Sequence, residues 1–112
     1  MIIYKILRAD EWADLRDNGV SNGAPIDVSD GYIHFSTAQT VAETAAKHFA
    51  GETDLTLLAY NDADLGGALK YEKSRNDQLF PHLYAPLNLD SALWIEPLPF
   101  DGTRHTFPKD MS

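Results

Sequence analysis

The chain contains no cysteine among its 112 residues. Disulfides and thiolate chemistry are therefore excluded, and any metal would have to be held by histidine and carboxylate. No apolar run approaches the ~20 residues of a membrane span, and no basic-then-apolar segment stands at the N-terminus, so the expectation is a cytoplasmic protein without anchor or signal peptide. Positive charge is also scarce: nine Lys and Arg stand against 17 Asp and Glu, for a net charge of −8. Phosphate backbones and anionic membranes recruit proteins through clustered cations, so general nucleic-acid binding and membrane binding are disfavoured. A small-molecule ligand or a protein partner fits better. There is no GxGxxG and no Walker-type phosphate loop, hence no Rossmann dinucleotide unit and no nucleoside triphosphatase. No repeat or linker divides the chain, which reads as one domain over 1–112 with a peripheral tail over 99–112.

What is present is ordinary globular composition, 44% hydrophobic and 23% charged. Ile2 to Leu7 reads as a strand with Ile2, Tyr4 and Ile6 on one face and Ile3, Lys5 and Leu7 on the other. Lys5 is a charge in an apolar strand, which points to a strand end, an edge, or a side chain aimed into a cleft. Asp10 can cap a helix through Trp12 and Leu15 to Asn18, with Gly19 as its stop. Val20 to Asp30 is Ser, Asn, Gly, Pro and Asp rich and reads as a loop able to cover a site.

Gly31 to Thr37 is the most informative stretch. As a strand it sets Ile33 and Phe35 on one face and Tyr32, His34 and Ser36 on the other. Ser36 followed by Gln39 has capping-box spacing, so a helix is expected from there to Phe49, stopping at Gly51. Leu55 to Tyr60 reads as a buried strand. Ala68 to Glu72 reads as another, with Leu69 and Tyr71 facing away from Lys70 and Glu72. A polar turn carrying Arg75 follows. In Leu79 to Leu87 the two prolines, Pro81 and Pro86, argue against a central strand, leaving an extended, restricted segment that projects Phe80, His82 and Tyr84 to one side. Ala92 to Leu98 is a last strand, with Trp94 and Ile95 on opposite faces. The order of elements is α+β, with short helices on an antiparallel or mixed sheet.

Ile3-Tyr4-Lys5-Ile6, Trp12, Gly19, the Gly31–Thr37 stretch and Phe80 to Leu87 together resemble the ordered motifs of the bacterial domain of unknown function 952 family. That family is grouped with the ADP-ribosyltransferase-like superfamily, and the layout is similar to tRNA 2′-phosphotransferases. The resemblance implies an ADP-ribosyltransferase-like split sheet, mixed or antiparallel, with two or three short helices and a cleft for NAD as substrate. On that reading His34 meets the nicotinamide side, with Ser36 and Thr37 at the strand-to-helix turn. Lys5 takes the place of the superfamily's first-strand histidine; it can donate a hydrogen bond but not accept one. Lys5 and Arg75 would contact phosphates, Tyr32 and Phe80 would line the ligand, and His82 with Tyr84 would serve the acceptor side. Glu72 and Glu96 correspond to the superfamily's acidic residue only by chain position. The implied activity is transfer or cleavage of ADP-ribose, with His34, His82 and Tyr84 as catalytic candidates. The alternative is a non-catalytic binding module using the same cleft. A metal held by His34, His82 and a carboxylate is a third arrangement, although no HxH or HxxxH pair supports it.

Overall fold

A computed structural model describes residues 1–74, 77–109 and 111. The apolar strand at the N-terminus, β1 (Ile2–Leu7), and β5 (Leu55–Asn61) lie inside a four-stranded sheet ordered β4-β1-β5-β9, where β4 is Ser36–Thr37 and β9 is Ala92–Leu98. Both faces of this sheet are covered, which is why β1 and β5 read as nearly continuous apolar runs. On one face Ile3, Leu7 and Leu58 pack with Leu15 of helix α1 (Ala9–Asn18) and with Ile33, Phe35 and Leu83. On the other, Tyr4, Ile6 and Leu57 pack with Val41 and Ala45 of α3 (Val41–His48) and with Phe107 and Met111 of the tail. The alternation of β1 and the opposed faces of Trp94 and Ile95 follow the expected period of two.

A second sheet of three strands runs β3-β7-β6, formed by Ile33–His34, Leu79–Leu83 and Leu69–Lys73. A two-strand ribbon pairs β2 (Val20–Ser21) with β8 (Leu87–Asn88). Every strand pairing among the described residues is antiparallel. The segment Ile33 to Thr37 passes from the three-stranded sheet to the four-stranded one: His34 is registered on His82, whereas Ser36 is registered on Tyr4. The crossing point is Phe35, whose N–H donates to the Pro81 carbonyl at 3.0 Å.

Four expectations are overturned. Asp10 does not cap α1: it lies within the first turn of the helix, whose N-cap is Arg8. Val20 to Asp30 is not a loop: after β2 it forms helix α2 (Pro25–Asp30), with Pro25 in the first turn and Gly31 closing it in the left-handed conformation (φ 86°). Ser36 does not cap a helix. It lies in β4, its hydroxyl donates to Thr44 Oγ1 at 3.1 Å, and α3 begins only at Val41 after a turn held by Thr40. Strand pairing with Tyr4 prevails over the local capping signal there. Finally, Pro81 sits in β7, the central strand of its sheet. Opposed residues of a hydrogen-bonded antiparallel pair exchange both bonds, and Phe35 already donates to the Pro81 carbonyl, so the donor that proline lacks belongs on the side of Phe35. That is where the chain leaves for the other sheet, and no continuing ladder is broken.

Candidate functional site

The three-stranded sheet brings its histidines together. His82 on β7 stands opposite His34 on β3 and opposite Lys70 on β6, so all three project to one face. The imidazole centroids are 5.5 Å apart, edge to face. Tyr32 lies against both, 4.6 Å from His34 and 4.2 Å from His82, and reaches Tyr84 at 5.2 Å. Phe80 and Glu72, paired with each other, belong to the same face; Phe80 is buried.

Each imidazole turns Nδ1 toward a carboxylate. His34 Nδ1 is 2.6 Å from Asp27 Oδ1 and His82 Nδ1 is 2.9 Å from Glu72 Oε1. Asp27 is the most heavily bonded side chain of the site. Its Oδ1 also accepts from the His34 N–H at 3.0 Å, and its Oδ2 accepts from the Ala24 N–H at 2.7 Å and from Lys5 Nζ at 2.8 Å. Four donors fill the acceptor capacity of one carboxylate. The residue is 1% exposed. Burial on its own would push its acidity the other way, but the bond to His34 and the charge of Lys5 prevail and hold the carboxyl down to about 2. An ionised Asp27 only accepts, so His34 Nδ1 carries a proton, and the opposite nitrogen, Nε2, is the one left to chemistry. Nε2 lies 3.0 Å from Asp30 Oδ2 at the mouth of the site. Gly23 completes the cradle: it adopts φ 94°, and a β-carbon there would collide with the Asp27 carboxylate.

The Glu72 carboxylate also accepts from the Tyr84 hydroxyl at 2.7 Å. The bond from Tyr84, and then that from His82, hold Glu72 below the usual carboxylate range, while the same bond pushes the Tyr84 phenol up to about 12. Burial, with the nearby Asp30 and Glu72, pushes the Tyr32 phenol up. Lys70 Nζ lies 5.3 Å over the Tyr84 ring. A cavity of about 320 Å³ opens beside the cluster, between α2 and the turn after β7. Its walls include Val28, Ile33, Leu83 and Pro86, with Tyr32 and Tyr84 shared between the cavity and the histidine face. Neither histidine ring is among its lining residues.

The structure therefore gathers Tyr32, His34, His82 and Tyr84, with Phe80 beside them. Lys5 is interior: 5% exposed, in the middle of β1, its ammonium bonded to Asp27 and to the His34 carbonyl at 2.9 Å. Ser36 and Thr37 are buried at the start of the α3 turn, where Ser36 bonds to Thr44 and Thr37 to Thr40. Arg75 lies outside the described residues. Of the two acidic candidates, Glu72 is in the cluster and Glu96 is on β9, opposite Leu57 in the other sheet. Sequence reasoning missed Asp27 and Asp30. The signals that would have placed Asp27 are Pro25 at a helix start, an acid two residues later and Gly31 at the helix end. Among the described residues no group of three or more His, Asp or Glu is arranged to hold a metal ion, and no helix is long and apolar enough to cross a membrane.

A search of curated proteins found no match. Among solved structures, the crystal structure of protein CC0527 from Caulobacter crescentus is 39% identical, with a TM-score of 0.90 over 95% of this chain and 94% of that one. The solution NMR structure of CC0527 is 40% identical, with a TM-score of 0.82 over 93% and 90% of the two chains. Residues 6–95 match the profile of the family described as protein of unknown function (DUF952), and the chain belongs to that family.

Proposed function

We propose that the chain binds a small molecule across the Tyr32–His34 face and that His34 exchanges a proton with it through Nε2. The observation that carries this reading is the bond from His34 Nδ1 to a buried, fully hydrogen-bonded Asp27. Such a carboxylate fixes the orientation of the ring and dedicates the other nitrogen to general acid or base work. Among the described residues Asp30 and Glu72 flank the face and Lys70 is its cation, so a neutral or cationic flat group is favoured, stacked on Tyr32, with its apolar body in the 320 Å³ cavity. His82, held by Glu72, supports the aromatic wall from behind.

A second reading is NAD as ligand, with cleavage of the bond between nicotinamide and ribose. It rests on the passage of one segment between two sheets at Phe35, which suits an ADP-ribosyltransferase-like layout, and on a cationic pyridinium matching an acidic aromatic face. The interior position of Lys5 weighs against it, because that ammonium is buried and already donates to Asp27 and to the His34 carbonyl instead of facing a phosphate. Titration with nicotinamide, NAD and ADP-ribose, followed by ring 15N resonances of His34 and His82 and by calorimetry, separates the readings. Nicotinamide and NAD shifting both rings in the wild type, with the shift of the remaining His82 ring lost in His34→Ala, is the expected result. Heat from ADP-ribose as well would favour the NAD reading, whereas unchanged rings with all three probes would sink the nicotinamide-type ligand and the NAD reading together.

A further inference from the structure

The pairing of Lys5 with Asp27 is not the arrangement of a lysine that greets a ligand. Lys5 occupies the centre of β1, registered on Leu58, with its side chain on the face that packs Ile3 and Leu7. Burial lowers its affinity for a proton, and Asp27 opposes that. An unpaired ammonium at such a place would be strongly unfavourable. Its geometry is specific to the site: Nζ donates at 2.8 Å to the carboxylate oxygen that His34 Nδ1 does not use, and at 2.9 Å to the carbonyl of His34 itself. One ammonium thus touches both the anchor of the imidazole and the backbone that carries it.

From this juxtaposition we infer that Lys5 is a positioning residue for His34: it neutralises Asp27, so that His34 is oriented by a carboxylate without being held permanently as its cationic partner. The inference rests on the reading of His34 as the proton-exchanging group. A carboxylate facing the imidazole alone favours the doubly protonated ring, which can no longer accept a proton. With Lys5 in place the pair behind the ring is neutral overall, and the carboxylate in direct contact with Nε2 is Asp30, at 3.0 Å. The other groups that face or border His34 are Asp30 from α2, His82 from β7 with Glu72 of β6 behind it, and Tyr32. Asp30 is the charge in direct contact with Nε2, and it is common to every variant below.

Lys5→Met keeps the aliphatic stem and removes the charge. In NMR titrations of the full chain without any ligand, the His34 midpoint in Lys5→Met is expected to rise by about one pH unit or more relative to wild type. The double variant Lys5→Met/Asp27→Asn removes the pair as a neutral unit and is expected to return the midpoint close to the wild-type value. A lysine that only fills space predicts no change in the single variant, and that result overturns the inference, as does a double variant displaced as far as the single one. Should Lys5→Met not fold, the double variant decides: folding with a near-wild-type His34 midpoint supports a charge pair, and failure to fold overturns it in favour of packing. No ligand enters the experiment, so a failed ligand titration would remove the proposed function while leaving this result intact.

Discussion

The site contains the same chemical pair twice, with burial inverted. In Asp27 and His34 the carboxylate is buried and the imidazole is one-third exposed (33%). In Glu72 and His82 the imidazole is buried, at 5%, and the carboxylate is 40% exposed. The first pair can present a ring to a ligand because the acid behind it is fixed by four donors. The second cannot present its ring in the same way. What it offers at the surface is a carboxylate that accepts from Tyr84, with His82 as the inner support. Burial decides which member of a pair is scaffold and which is available, and two pairs of equal composition on one sheet face take opposite roles.

The largest expected difference between the pairs is in stability. Asp27→Ala leaves the Lys5 ammonium buried without its counter-ion and takes the acceptor from the Ala24 and His34 N–H groups, a loss of about 3–5 kcal/mol in denaturant unfolding. Equal stability of Asp27→Ala and wild type would refute the anchoring role. Acid should expose the same contrast on a smaller scale. Asp27 is depressed from 3.8 to about 2 in the folded chain, so its contribution is complete above pH 4 and disappears as pH falls from 4 toward 2. The shift corresponds to on the order of 2 kcal/mol. Stability measured against pH should show this loss in wild type and lack it in Asp27→Asn; identical acid limbs would show that Asp27 is not what titrates.

Much of the scaffold, and half of the site, could be read from residue order. β1 and β5 are legible because each buries side chains on both faces, β9 because Trp94 and Ile95 pack half-buried against opposite clusters, and the histidine face because a period of two puts Phe80, His82 and Tyr84 on one side whatever the fold around them. α2 was hidden for a physical reason. It is six residues long, Ile26 and Val28 are exposed, and its one buried side chain is a carboxylate, so it has no apolar stripe to detect. Its attachment comes from Lys5, 22 residues away, and from His34. Such partners are fixed by tertiary structure alone. Ser36 carried a valid local capping signal that sheet pairing overrode, and Pro81 was acceptable in a central strand only because β3 ends beside it, which no local pattern encodes.

The smallest effect is expected at Glu72, and it tests whether inverted burial really assigns the roles. Glu72→Gln keeps the shape and an acceptor while removing the charge. Because the carboxylate is solvent-accessible, its bonds exchange readily with water and the melting temperature should stay near that of wild type. The chemistry of Tyr84 should nevertheless change. Its phenol is raised to about 12 chiefly because its hydroxyl donates a hydrogen bond to the Glu72 carboxylate, and a neutral amide stabilises the protonated phenol less. The Tyr84 titration should therefore move down toward the ordinary tyrosine value. Phenolate absorbance reads this, and a parallel Tyr84→Phe variant identifies its component among the five tyrosines. A Glu72→Gln chain that unfolds as Asp27→Ala does would mean that the second pair is as structural as the first. A stable chain with an unmoved Tyr84 would mean that Glu72 does not control the phenol, leaving Asp27 and His34 as the one working pair of this face.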